Sequence, residues 1–237
     1  MTTSTHAEAA VPLLSHVLDE IGAEIVTGVI KTDQRFTLQD ISVRFGISRT
    51  VAREAMRALE QMGLVMSSRR VGLTVLPMSE WNVFDQQVIN WRLAGEKSRG
   101  AQLHSLNQVR LAIEPIAARL AASTASEEQR GEILDLALRL HELEVSPSHR
   151  VGEELAIDLR FHASILYASG NEMFAALAPS LLAMLKGKSV YGSRKRDPIS
   201  GTVDLHIELA EAIRDGKAAQ AEHLAREILD ETSSTSI

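Results

Sequence analysis

From 13 to 28 the apolar residues Leu14, Val17, Leu18, Ile21 and Ile25 recur at three- and four-residue spacings. That spacing puts them on one stripe and predicts an amphipathic helix. A second helix starts at Thr37, a good N-cap residue, and carries Leu38, Ile41 and Phe45 inward. "FGIS" then reads as a turn, with Gly46 closing one helix and Ser48 capping the next. A third helix is predicted over 49–62, stopped by Gly63. After it the period changes. "LVM" and "LTVLP" flank the basic turn "SSRRVG" and read as a small hairpin. Helix, helix, turn, helix, hairpin is the order of a winged helix-turn-helix.

Pro77 closes this unit. "MSEWNVFDQQVINWRLAG" follows as an aromatic-rich connector, partly helical in pattern. From Ala101 onward the periodicity is helical throughout, over about 101–123, 126–144, 152–169, 171–187, 201–215 and 217–231. Gly170, Gly192, Gly201 and Gly216 punctuate these helices, and Pro147 and Pro198 fall in loops. The expected fold is mainly α, with a winged helix-turn-helix at 10–77, a linker at 78–100 and an all-α bundle at 101–232.

Composition narrows the chemistry. The chain of 237 residues has 45 % hydrophobic residues, enough for two packed cores. It has no cysteine, which excludes disulfides and thiolate metal sites. "MTTSTHAEAA" lacks the basic region and apolar core of a secretion signal. No apolar run approaches the roughly 18 residues of a membrane span. The expectation is a soluble cytoplasmic protein without a membrane partner. Net charge is −6, yet 29–76 holds eight basic and four acidic residues, a local balance of +4. A local patch, rather than total charge, sets an electrostatic footprint for DNA.

That patch has a direction. On a helical wheel Val51, Ala55, Leu59 and Met62 fall on one side of the third helix, and Arg49, Thr50, Arg53, Arg57 and Glu60 on the other. One explanation is a solvated face with ion pairs to Glu54 and Glu60. The basic hairpin next to it favours another, a helix laid in the major groove with its first residues reaching base edges. Arginine there bridges guanine O6 and N7 or grips phosphate. Arg69 and Arg70 at the hairpin tip suit the minor groove or backbone, and Gly72 keeps the turn tight.

"FGISRTVAREAMRALEQMGLV" resembles the recognition helix of GntR-type bacterial transcription regulators, and the helical half resembles the FCD domain of the FadR subfamily. The resemblance covers nearly the whole chain. It implies a homodimer on a pseudo-palindromic double-stranded operator, with an effector controlling DNA affinity. Carried onto matching positions, it implies DNA contacts at Arg49, Thr50, Arg53 and the wing around Arg70 and Gly72. The second helix of such regulators often bears an arginine where this chain has Gln39.

Three polar features interrupt the inward stripes of the bundle. Arg110 projects among Leu106, Ile113 and Ala117, with Glu114 at the edge of that face. A buried charge needs a partner. Either Glu114 supplies it, or Arg110 clamps the carboxylate of an effector. In "DLRFHASIL", Asp158 and His162 share a face with Leu155 and Ile165. His206 sits on the stripe of Val203, Ala210 and Ile213. An inward Asp–His pair suits one divalent metal or a plain hydrogen bond. The metal-binding FCD subgroup uses an Asp, a His four residues later and two more histidines. Asp158, His162 and His206 match three of these; Ile228 stands where the fourth is expected, and His223 points away. The resemblance thus implies an incomplete site for zinc, nickel or manganese, with open positions for an effector oxygen. Asp158, His162 and His206, with Arg110 and Glu114, are the expected effector-binding set. His6, His16, His104, His141 and His149 read as surface or loop residues.

The connector "EWNVFDQQVINWRLAG" and "RLAIEPIAARLAA" resemble galactonate-responsive and related sugar-acid regulators, which implies a hydroxylated carboxylate as effector. The expected function is a ligand-responsive repressor. Two readings compete with it: a metal-dependent enzyme built around Asp158, His162 and His206, and an architectural DNA-binding protein with no ligand. The chain lacks HExxH, a phosphate-cradling glycine loop and a cysteine nucleophile, which disfavours the enzyme.

Overall fold

The computed structural model describes residues 5–68, 72–145, 152–190 and 203–234. It divides into two compact units, 1–102 and 103–237, with the division inside one helix. Arg69, Arg70, Pro147, His149, Gly192, Pro198 and Gly201 lie outside the described residues, as does the side chain of His6.

The first unit opens with α1 (Thr5–Val26), β1 (Arg35–Phe36), α2 (Leu38–Phe45) and α3 (Arg49–Gln61). The expected caps are present. Thr37 Oγ1 accepts from the Asp40 amide at 3.2 Å, and Asp40 Oδ2 accepts from the Thr37 amide at 2.7 Å, a closed capping box. Gly46 takes a left-handed conformation (φ +63) and Ser48 Oγ accepts from the Val51 amide at 3.3 Å. The hairpin is β2 (Val65–Ser68) and β3 (Gly72–Val75). β1, which no periodicity announced, pairs antiparallel with the far side of β3, Phe36 opposite Leu73. Two residues are too few to show a period of two.

α3 buries Ala52, Ala55, Met56 and Leu59; Val51 is only half-buried. The inward stripe is thus rotated slightly from the expected Val51, Ala55, Leu59 and Met62. The alanines let α3 lie close to α1, whose Val17, Leu18, Ile21 and Ile25 meet it in one core with Leu64, Leu73 and Val75.

The segment expected as a linker is structured. Met78–Glu80 forms a 3-10 turn, and α4 (Gln86–Ala94) packs on α1. Val88 and Trp91 join the core of the first unit. Trp91 Nε1 donates to Asp19 at 2.9 Å, and its ring lies so close to Gly22 that a Cβ there would sit 2.3 Å from it. Gly63 is equally constrained. Its φ is +71, and an added Cβ would come within 2.2 Å of the Glu80 carbonyl oxygen. Left-handed strain plus a backbone clash make Gly63→Ala cost about 2–3 kcal/mol, readable as a lower urea midpoint. An unchanged midpoint would show that the Glu80 turn moves aside freely.

The second unit is helical. α5 (Glu96–Thr124), α6 (Glu127–Val145), α7 (Glu153–Ala168), α8 (Glu172–Val190), α9 (Val203–Arg214) and α10 (Ala218–Ser234) follow in order. α6 packs on α7 and α9, α7 on α8, and α9 on α10. Ala117, Ala118, Ala121 and Ala122 bury one side of α5, while Phe161, Leu166, Leu209 and Ile213 fill the centre of the unit. Among the described residues no helix is long and apolar enough to cross a membrane.

Candidate functional site

α3 presents Arg49, Thr50, Arg53 and Arg57 on its exposed face, as the wheel predicts. Arg57 Nη1 donates to Glu54 at 2.9 Å, one turn back, with both side chains about half in solvent. Arg49 donates from Nε (3.2 Å) and Nη2 (2.9 Å) to the side-chain oxygen of Gln39 at the start of α2. Glu60, placed by the wheel on the polar face, accepts from the Ser67 amide at 2.7 Å and ties α3 to the wing. Gly72 has a structural reason of its own: φ is +89, and a Cβ would meet the Phe36 carbonyl oxygen at 2.7 Å. Only glycine lets β1 approach β3 there.

The helical unit gathers its five polar residues into one buried cluster. Arg110 and Glu114 come from α5, Asp158 and His162 from α7, and His206 from α9. None is more than 6 % exposed. The Arg110 guanidinium pairs with Glu114 through Nε and, at 3.2 Å, through Nη2. The internal pairing left open by the sequence is therefore the arrangement seen. Glu114 is buried rather than at the edge of its face, and its Oε2 lies 2.9 Å from His162 Nδ1. On the far side of that ring, His162 Nε2 is 3.5 Å from Asp158 Oδ1, and His206 Nε2 is 3.4 Å from the same oxygen. Phe161, fully buried, packs against both imidazoles, with ring centres 5.5 and 5.0 Å away.

The electrostatics follow from this geometry. Burial pushes the Glu114 carboxyl up, but Arg110 and His162 outweigh it and hold its pKa down to about 2. Burial likewise pushes His162 down, and the flanking Glu114 and Asp158 carboxylates outweigh that and raise it to about 9. Burial raises Asp158, and His162 and His206 more than reverse the effect. With no metal, the row is carboxylate, imidazolium, carboxylate.

Asp158, His162 and His206 also fit one divalent ion. They offer an O, N, N donor set within 4.8 Å of one another. Asp158 Oδ1 is buried without a hydrogen-bond partner among the described residues. Separations of 3.4 and 3.5 Å approach the edge of a tetrahedron with bonds of about 2.0 Å, roughly 3.3 Å long. Ile228, in place of a fourth histidine, is buried beside Ala225 on α10, whereas His223 is exposed near Glu227.

Family profiles match both halves. The description "Bacterial regulatory proteins, gntR family" fits residues 13–75, and "FCD domain" fits 105–231. The chain belongs to the GntR family. A relative in Escherichia coli (strain K12), the HTH-type transcriptional regulator YieP, is 31 % identical over 92 % of this chain and 94 % of its own length. LutR, an HTH-type transcriptional regulator of Bacillus subtilis (strain 168), is 28 % identical over 80 % of this chain and 85 % of its own. The fold recurs in a solved GntR protein of Streptococcus agalactiae (TM-score 0.51, 17 % identity, 93 % of this chain and 99 % of that one). It recurs also in Lar, described as controlling the Listeria monocytogenes agr system (TM-score 0.57, 12 % identity, 94 % and 95 %). This GntR-family chain is a DNA-binding transcription regulator with an FCD domain, and the enzyme alternative falls away with the family assignment.

Two contacts in these candidate sites of the GntR-family regulator escaped the sequence. Glu114 touching His162 joins α5 to α7 across 48 positions of chain, and no local spacing encodes it. Gln39 was visible only as a departure from the usual arginine; its ten-residue separation from Arg49 becomes a contact through the turn at Gly46.

Proposed function

We propose that the protein is a repressor that binds a pseudo-palindromic operator as a homodimer and releases it when the FCD domain takes up a small organic acid. The observation that carries the DNA half is the exposed Arg49, Thr50 and Arg53 face on a capped, well-packed α3. The sensor half rests on the buried cluster, because Asp158 Oδ1 is a buried acceptor without a hydrogen-bond partner among the described residues, and such a group costs stability unless something fills it. Asp158, His162 and His206 would hold one divalent ion: zinc, nickel or manganese. Such an ion would offer its open positions to carboxylate and hydroxyl oxygens. A sugar acid is the effector class we favour, supported by the resemblance of the 80–95 connector and the first sensor helix to sugar-acid regulators.

The space bounded by Glu114, His162, Ile165, Leu209 and Ala225 is about one water molecule in size. A hexonate is larger, so its entry requires a helix lining that space to shift. An effector that binds one packing better than the other moves the population between them, and operator and inducer then disfavour each other reciprocally.

The test is fluorescence anisotropy with a labelled duplex from the region upstream of the gene, against a scrambled duplex at fixed salt. Specific binding weakened by galactonate, gluconate or a smaller hydroxy acid is the expected outcome. Binding equal on both duplexes and indifferent to every acid would leave the architectural reading. Arg53→Ala is expected to weaken the specific complex by about 1–3 kcal/mol per half-site while leaving the fold intact.

Metal binding has its own signature. His162 must lose its proton to coordinate, and the free chain holds that proton up to about pH 9. Binding at pH 7.5 should therefore release about one proton, seen as a buffer-dependent heat in calorimetry. Heats independent of buffer ionisation would place the ion elsewhere.

A further inference from the structure

We infer that Gln39 is a positioning residue that fixes how Arg49 reads DNA, and that the two side chains act as one donor surface selective for guanine. This rests on the reading of Arg49 as a base contact. An arginine on a solvated helix normally samples many rotamers and can meet either a phosphate or a base. In the structure Arg49 is drawn to one of these poses. Its Nε–H and one Nη2–H both point at Gln39 Oε1, 3.2 and 2.9 Å away. That contact uses the side-on edge of the guanidinium. The end-on fork, one N–H from each Nη, is left unengaged by Gln39. Two parallel donors at that spacing match guanine O6 and N7.

The same contact decides what Gln39 can do. A glutamine reads adenine by accepting from N6 and donating to N7. With Oε1 committed to Arg49, Gln39 keeps only the two N–H donors of its amide. It can then address another acceptor, a guanine edge, thymine O4 or a phosphate, and it loses the adenine mode. Both residues sit in the first turns of their helices, with backbones fixed by the caps at Thr37 and Ser48. The pair is held from both ends, which lowers the ordering cost of docking.

The experiment is selection of bound duplexes from a pool with randomised half-sites, using full-length wild-type protein, Gln39→Ala, Gln39→Glu and Arg49→Ala. Wild type should select guanine at one step per half-site, with no adenine preference beside it that depends on Gln39. Gln39→Ala should reduce the guanine preference about tenfold, as expected for a loosened bidentate contact, with little change in affinity for random DNA. Gln39→Glu retains the acceptor and should keep the preference, while weakening binding overall and flattening its salt dependence. Equal melting temperatures check that these exposed substitutions leave the fold alone. An unchanged base preference in Gln39→Ala, with Arg49→Ala still losing guanine, overturns the inference and leaves Arg49 as a DNA contact. Arg49→Ala binding like wild type overturns both.

Discussion

Glu114→Gln is expected to destabilise the metal-free helical unit by about 3–5 kcal/mol, the usual cost of breaking a buried ion pair from one side. Glu114 accepts from Arg110 and lies against His162 Nδ1, and all three are buried. Gln retains the shape but leaves the Arg110 guanidinium facing a dipole instead of a charge. It also removes one of the two carboxylates that keep His162 protonated. Urea unfolding followed by circular dichroism measures the loss, and a change below about 1 kcal/mol would mean that water or another group compensates Arg110. Replacing Arg110 and Glu114 together by leucine should recover much of it, because both desolvation costs disappear at once.

The same network sets the pH range of that stability. His162 is raised from 6.5 to about 9, so its contribution is complete below pH 6.5 and is lost as pH rises towards 9. Glu114 is lowered from 4.5 to about 2, so its contribution is present above pH 4.5 and is lost as pH falls towards 2. Of these two contributions, both are whole only between about pH 4.5 and 6.5. In Glu114→Gln the alkaline loss should move to lower pH, since only Asp158 then holds the His162 proton.

What could be read along the chain and what could not divide by distance in sequence. Thr37, Gly46 and Ser48 act on neighbours within a few residues, and their caps stand where the residues indicated. The pairing of Asp158 with His162 and of Arg110 with Glu114 is one helical turn long and equally local. His206 was placed inward by its own stripe, but only the packing of the helical unit shows that it shares Asp158 Oδ1 with His162. The segment 78–100, expected as a partly helical linker, carried no local sign that it joins the first unit. Its helix has apolar residues on all sides, with Val88, Ile89, Trp91 and Leu93 all buried, so no amphipathic stripe marked it as part of the first unit. Gly22 held the missing signal, since a bare position near the end of α1 leaves room for the Trp91 ring.

Arg130→Ala should cost about 3–4 kcal/mol, although the residue belongs to no site and carries no motif. Its guanidinium donates to the carbonyl oxygens of Ala125 (3.0 Å) and Ala122 (2.9 Å) at the end of α5. It also donates to Ile213 (2.8 Å) and Arg214 (2.6 Å) at the end of α9. The last carbonyls of a helix lack intrahelical donors and carry the negative end of its dipole, so one half-buried cation meets both ends where it is most favoured. Lysine keeps the charge but concentrates its donors at one point, so it cannot span two helix ends; Arg130→Lys should recover less than half the loss. Hydrogen exchange localises the effect, with protection falling first in the last turns of α5 and α9. A lysine variant as stable as wild type would show that charge alone, rather than the fork, joins the two helix ends.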